Sequence, residues 1–227
     1  SRMSAPVVTI DGPGGAGKGT IARAIAESLG WHLLDSGAIY RLLALASLQR
    51  GVEPTQTATL ETLARGLDID FPTRGPHAGE VLLDGEVVSG AIRSEACGVR
   101  ASELAADPAV RTALLDRQRG FQKPPGLVAD GRDMGTVVFP DAAVKIYLTA
   151  TAEERARRRH KQLMEQGVSA NLADLLQDMQ ARDERDMNRA VAPLKPAEDA
   201  MVIDSTTMAI EAVIARVLAQ VGNRAGG

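Results

Sequence analysis

The sequence predicts an α/β fold whose mostly parallel sheet is covered by helices on both faces, and three observations predict it. Five short aliphatic runs are separated, for the most part, by stretches of helical pattern. The first run leads directly into a glycine-rich turn and then a helix. The conspicuous polar clusters follow the ends of these runs, where open parallel sheets gather their ligands.

The runs lie at residues 7–10, 32–34, 127–129, 144–148 and 201–203, each rich in Val, Ile and Leu. Continuous aliphatic character fits strands buried on both faces. After the first comes Ile10-Asp11-Gly12-Pro13-Gly14-Gly15-Ala16-Gly17-Lys18-Gly19-Thr20, and then a helical pattern from Ile21. Strand, glycine-rich turn, lysine and helix are the context of a phosphate-binding loop. The glycines let successive N–H groups converge on one anion, and the helix adds its positive dipole end. Lys18 supplies a full charge to the phosphate oxygens. Gly19 stands where such loops commonly carry a Ser or Thr for magnesium, and Thr20 follows. The ion is therefore expected to be held mainly by phosphates and water.

The chain has 227 residues and a net charge of −3, so no global field favours nucleic acid or an acidic membrane. Cys97 is the only cysteine, which excludes an intrachain disulfide and suits a reducing cytoplasm. A small packing role is expected for it. No run is long enough to span a bilayer, and the start lacks the pattern of a secretory signal. Ser1-Arg2 before Met3 reads as a cloning remnant, and residues 222–227 as a frayed tail.

Two regions read as insertions. In the first, residues 80–88 form a hairpin turned at Asp84-Gly85, with residues 68–71 as a third strand. Helices follow at 102–106 and 107–121, the latter with Asp107 as N-cap and Pro108 in its first turn. In the second, charged helices at 152–166 and 171–187 are joined by Gly167-Val168-Ser169. The first of these carries Arg155, Arg157, Arg158, Arg159, His160 and Lys161. The second carries Arg182 and Arg185, with Arg189 following on the same face. The basic run reads either as a phosphate-facing lid or as a solvated helix partnered by Glu153 and Glu154.

Four strings then identify a likeness: the glycine loop, Leu33–Arg41 (LLDSGAIYR), Ala129–Ala142 (ADGRDMGTVVFPDA) and Arg182–Leu194 (RDERDMNRAVAPL). Over nearly its whole length the chain resembles the bacterial cytidylate kinases. The resemblance implies a P-loop kinase fold with a five-stranded parallel sheet, a monophosphate-binding arm with a small antiparallel sheet, and an arginine-rich lid. It implies core segments at 4–59, 123–150 and 190–222, the arm at 60–122 and the lid at 151–189, in one folding unit. It implies the reaction of ATP with CMP or dCMP to give ADP and CDP or dCDP, with Mg2+ required.

By the same resemblance residues 12–20, Arg155 and Arg159 meet ATP, with one of the two lid arginines over the base and the other at phosphate. Lys18, Arg132, Arg159 and Arg182 serve the transferring group. Ser36, Arg41, Ser102, Arg111, Asp133, Arg182, Asp186 and Arg189 meet CMP. Asp133 can accept from the cytosine amino group, Arg111 can donate to N3, and Ser102 can do either. Asp186 could instead pair with Arg182, four residues earlier. Asp130 and Asp35 are the candidates near magnesium, through water, or they cap the turns that follow.

The chemistry is consistent with this residue set. The attacking group is an ionised phosphate, so no strong general base is required, and arginine forks answer the repulsion between two polyanions. A monophosphate kinase for UMP, dTMP or AMP is disfavoured by DSGAIYR and the hairpin arm. A GTPase would carry a guanine-reading Asn-Lys-x-Asp string, and none occurs. Nucleic-acid binding lacks an aromatic platform beside the basic run. A cytoplasmic monomer is expected, with small-molecule partners and no nucleic acid or membrane.

Overall fold

The computed structural model describes residues 4–225. In chain order the strands are β1 (Val7–Asp11), β2 (His32–Asp35), β3 (Ile69–Asp70), β4 (Leu82–Leu83), β5 (Glu86–Val87), β6 (Leu127–Gly131), β7 (Val144–Thr149) and β8 (Met201–Asp204). The helices are α1 (Lys18–Leu29), α2 (Ser36–Gln49), α3 (Thr57–Arg65), α4 (Glu95–Ala105), α5 (Pro108–Arg119), α6 (Ala152–Glu165), α7 (Leu172–Met187) and α8 (Ile210–Ala225). A five-stranded sheet runs β2-β6-β1-β7-β8, and a three-stranded one runs β3-β4-β5.

The chain separates into two compact units. One takes Ala26–Val128 with the described residues before Val7, and the other takes Val7–Ile25 with Ala129 onward. In the latter, β1 pairs in parallel with β7, Ile10 opposite Ile146, and β7 pairs in parallel with β8, Leu148 opposite Ile203. Ile10, Ile21, Ile25, Met134, Ile146, Leu148 and Ile203 are buried there. In the former, Leu34, Ile39, Leu42, Leu43, Leu60, Leu104 and Leu114 are buried. Cys97 is fully buried, its thiol 3.1 Å from the Arg41 carbonyl, in keeping with a packing role.

All five predicted strands are present, each extended by one or two residues at its carboxyl end, so that Asp11, Asp35 and Asp130 lie in strands. The hairpin turns at Asp84 (φ 53°) and Gly85 (φ 80°), a pair of left-handed residues that matches strand twist. Its β4 pairs antiparallel with β3. Asp107 caps α5 by accepting from Ala109 N–H at 2.9 Å.

Two expectations are corrected. The helix predicted at 102–106 begins at Glu95, where Ser94 caps it through Cys97 N–H at 3.2 Å. Tertiary burial of Cys97, Ala101 and Leu104 carries helix through a stretch containing Gly98. The tail expected to fray from residue 222 continues α8 to Ala225, because Val213, Val217 and Val221 form a buried stripe. Residues 1–3 and 226–227, with the reading of a cloning remnant, lie outside the described residues. Among the described residues no helix is long and apolar enough to cross a membrane.

Candidate active site

The glycine loop leaves β1 under tight constraint. Gly12 has φ 153°, and a Cβ there would stand 2.0 Å from the Leu148 carbonyl oxygen of β7. Gly15 has φ 78°, and its Cβ would meet Met179 Cε at 2.9 Å and Arg155 Cβ at 3.2 Å. No other residue type fits either position without moving backbone or the covering helix.

Lys18 opens α1 and donates to the Pro13 carbonyl at 3.2 Å. Desolvation, then the charges of Arg132 and Arg182, push its ammonium pKa down, while Asp130 and Asp11 oppose them. The arginines stand close by: Arg132 Nη2 lies 3.5 Å, and Arg182 Nη1 3.9 Å, from where a Cβ on Gly14 would be. Asp186 moderates this crowd of cations. Its Oδ2 lies 2.7 Å from Arg132 Nε and 3.9 Å from Arg182 Nε, so the tighter partner is Arg132, not its neighbour along the helix.

Asp11 was not expected from the sequence to belong here. Its two carboxylate oxygens accept from Met134 N–H and Gly135 N–H, each at 2.8 Å. This bolts the start of the π-helical turn Met134–Val138, and with it Arg132 and Asp133, to the foot of the glycine loop. Burial raises the Asp11 pKa to about 6 against the two backbone N–H groups that lower it, and the Asp133 charge adds to the rise. The folded protein therefore holds this proton more tightly than the unfolded chain. Asp11 favours the fold most below pH 3.8, and that contribution declines as pH rises to about 6. A carboxyl-carbon NMR titration of the substrate-free protein should show a midpoint near pH 6 that disappears in Asp11→Asn. A midpoint in the ordinary aspartate range would refute it.

Asp130 is 8% exposed on β6, and its Oδ2 lies 3.7 Å from where a Cβ on Gly19 would be. Its carboxylate thus stands beside the position that carries a hydroxyl in other phosphate-binding loops. A hard oxygen donor beside the loop and Lys18 fits a hydrated magnesium ion. Among the described residues no three His, Cys, Asp or Glu side chains gather as a ready cage for one.

The basic run of α6 divides by depth. Arg155 is 4% exposed, and its guanidinium donates to the Ala150 carbonyl at 3.0 Å, the Gly14 carbonyl at 3.1 Å, and both oxygens of Asp183. Arg158 donates to the Ala16 carbonyl at 3.3 Å and to Ser205, with Glu154 at 3.2 Å. Arg157 also pairs with Glu154, and Arg159 is exposed and donates to Gln162 at 2.7 Å. The run is neither wholly solvated nor wholly open to a ligand. Arg189, expected at the CMP sugar, is exposed and donates to the Ala192 carbonyl at 2.7 Å.

In the other unit, Asp35 precedes α2 without a side-chain capping bond, and Ser36 donates to Gln118 at 2.7 Å. Gln118 is 6% exposed and was not anticipated. Arg41 Nη1 donates to the Ile92 carbonyl at 2.8 Å and lies 3.4 Å from where a Cβ on Gly98 would be. Ser102 donates to the Gly98 carbonyl at 3.2 Å, and exposed Arg111 reaches the Ala105 carbonyl at 3.4 Å. Asp11 could have been flagged as the residue between strand and first glycine. Arg158 and Asp183 carried no signal beyond membership of charged runs.

Comparison with known proteins points one way. The family model described as cytidylate kinase matches residues 8–223. The cytidylate kinase of Stutzerimonas stutzeri (strain A1501) is 59% identical over 220 residues, covering 96% of each chain. That of Aeromonas salmonicida (strain A449) is 59% identical over 222 residues, 98% of this chain and 96% of its own. That of Pseudomonas syringae pv. tomato is 57% identical over 224 residues, 98% of both.

Proposed function

Because the chain belongs to the cytidylate kinase family and phosphorylates CMP with ATP as donor, we propose a division of labour among its residues. Residues 12–20 with Lys18 hold the ATP phosphates. Arg132 and Arg182 serve the transferring group, with Arg41 at the CMP phosphate. The observation that carries this reading is the convergence of Lys18, Arg132 and Arg182 on the Gly14 end of the loop. Without substrate, desolvation first and then the repulsion of Arg132 and Arg182 depress the Lys18 pKa. A bound polyanion reverses that cost, and most strongly when negative charge spreads over the oxygens in flight.

Mg2+ would be held by the ATP phosphates and, through water, by Asp130, where it would neutralise phosphate charge. The residues need move no proton from the nucleophile, since the attacking CMP oxygen is already ionised. Ser36, Ser102, Arg111, Asp133, Asp186 and Arg189 are assigned to CMP. Asp133 sits at the entry of the turn that Asp11 bolts down, which suits a residue that must read one exocyclic amino group. Acceptance of dCMP follows if the sugar contacts of Asp186 and Arg189 tolerate a missing hydroxyl.

ADP formation from ATP and magnesium with each monophosphate in turn tests the assignment. Fast turnover is expected with CMP and dCMP and slow turnover with UMP and AMP. Asp133→Ala should cut the CMP-over-UMP preference by about tenfold or more, since a buried polar site discriminates through the groups a wrong base leaves unpaired. An undiminished preference would remove Asp133 from that role.

A further inference from the structure

We propose that Arg155 and Arg158 are positioning residues that hold carbonyls of the glycine loop away from the phosphates, and that Asp183 fixes Arg155 for this task. In a trans peptide the C=O and the following N–H point in opposite directions. A loop that presents N–H groups to an anion must therefore aim the preceding carbonyls elsewhere, and those carbonyls must be satisfied. Three of them meet cations: Pro13 O meets Lys18, Gly14 O meets Arg155 and Ala16 O meets Arg158. The N–H groups on the far sides of those peptides belong to Gly14, Gly15 and Gly17.

Lys18 is assigned to phosphate and is not free to serve as a permanent anchor. The two arginines of α6 are held independently of the loop. Arg158 is tied to Ser205 and Glu154. Arg155 is tied to Ala150 and, through a two-pronged pair, to Asp183 of α7, whose side chain is 18% exposed. Burying a guanidinium without a carboxylate is costly, so Asp183 offsets the Arg155 charge and keeps its fork pointed at Gly14. This assigns the buried arginine of the lid to the shape of the ATP site instead of to contact with ATP.

The proposal rests on the loop being the ATP site, and the test separates the two. KM for ATP and for CMP are measured in wild type, Asp183→Asn, Arg155→Met and the double variant, alongside thermal melting. Asp183→Asn should raise KM for ATP about tenfold and leave KM for CMP within about twofold, and the double variant should be no worse than Arg155→Met alone. Equal rises in both KM values, effects that multiply in the double variant, or an ATP KM that is unchanged or lower because Arg155 is freed for the nucleotide would each overturn it. If Asp183→Asn does not fold, Arg155→Lys, which keeps charge but loses the fork, carries the test under the same criteria. A wild type without CMP-dependent ADP formation would sink the ATP-site reading itself, whereas an active wild type with unaltered variants sinks only the clamp.

Discussion

Replacing Lys18 by methionine should lower kcat/KM for CMP phosphorylation by about a hundred- to a thousandfold while the substrate-free protein melts no earlier than wild type. The two halves have one cause. Lys18 is desolvated and lies in the repulsive field of Arg132 and Arg182, so its pKa is pushed down. A lysine whose proton is held less tightly in the fold than outside it weighs against the fold at neutral pH. Methionine removes that burden and fills the volume of the stem. The Pro13 carbonyl loses one donor, a loss of about 1 kcal/mol at most if water replaces it. The transferring phosphoryl group, in contrast, loses a full charge in a poorly hydrated pocket, where one such contact is worth about 3–4 kcal/mol. Steady-state kinetics paired with calorimetry checks both halves. A melting temperature several degrees below wild type would contradict the repulsion argument even if activity vanished.

Arg132→Ala should cost about a hundred- to a thousandfold in kcat and, unlike the lysine variant, should also destabilise the protein. Arg132 Nε lies 2.7 Å from Asp186 Oδ2, and both side chains are largely buried, at 18% and 14% exposure. Truncation leaves Asp186 with the more distant Arg182 at 3.9 Å. Removing one partner of a buried pair exposes the full desolvation cost of the other. Arg132→Lys should recover most of the stability and little of the rate, because a point charge can face Asp186 but cannot span two phosphate oxygens. Equal recovery of both would indicate that Arg132 acts only through Asp186.

How much of this was legible beforehand differs by element. The glycine loop was legible because its composition has almost no other use, and the structure supplies the reasons at Gly12 and Gly15. The five strands were legible because each is a short aliphatic run, buried on both faces in β1 and β6 and on one face in β2 and β8, yet every carboxyl end was set too early. Strand ends are decided by partner hydrogen bonds, and polar residues such as Asp11 and Asp130 continue a strand when a neighbour pairs with it. The start of α4 was hidden by Gly98, which side-chain burial overrides.

Among the site residues, a basic run shows how many arginines there are and not which way each points. Arg155 and Arg158 grip the loop, while Arg159, one residue further, lies exposed. Sequence alone established an α/β fold, a phosphate-binding loop and, through four matching strings, the family. Those properties are carried by local pattern and by residue types that tolerate no substitute. Which carboxylate answers which cation was decided only by tertiary structure: Asp186 for Arg132, Asp183 for Arg155, and Asp11 for the backbone of the π-helical turn. Each of these pairs joins residues 28 or more positions apart, and a charge in a sequence has no partner until folding removes water from around it.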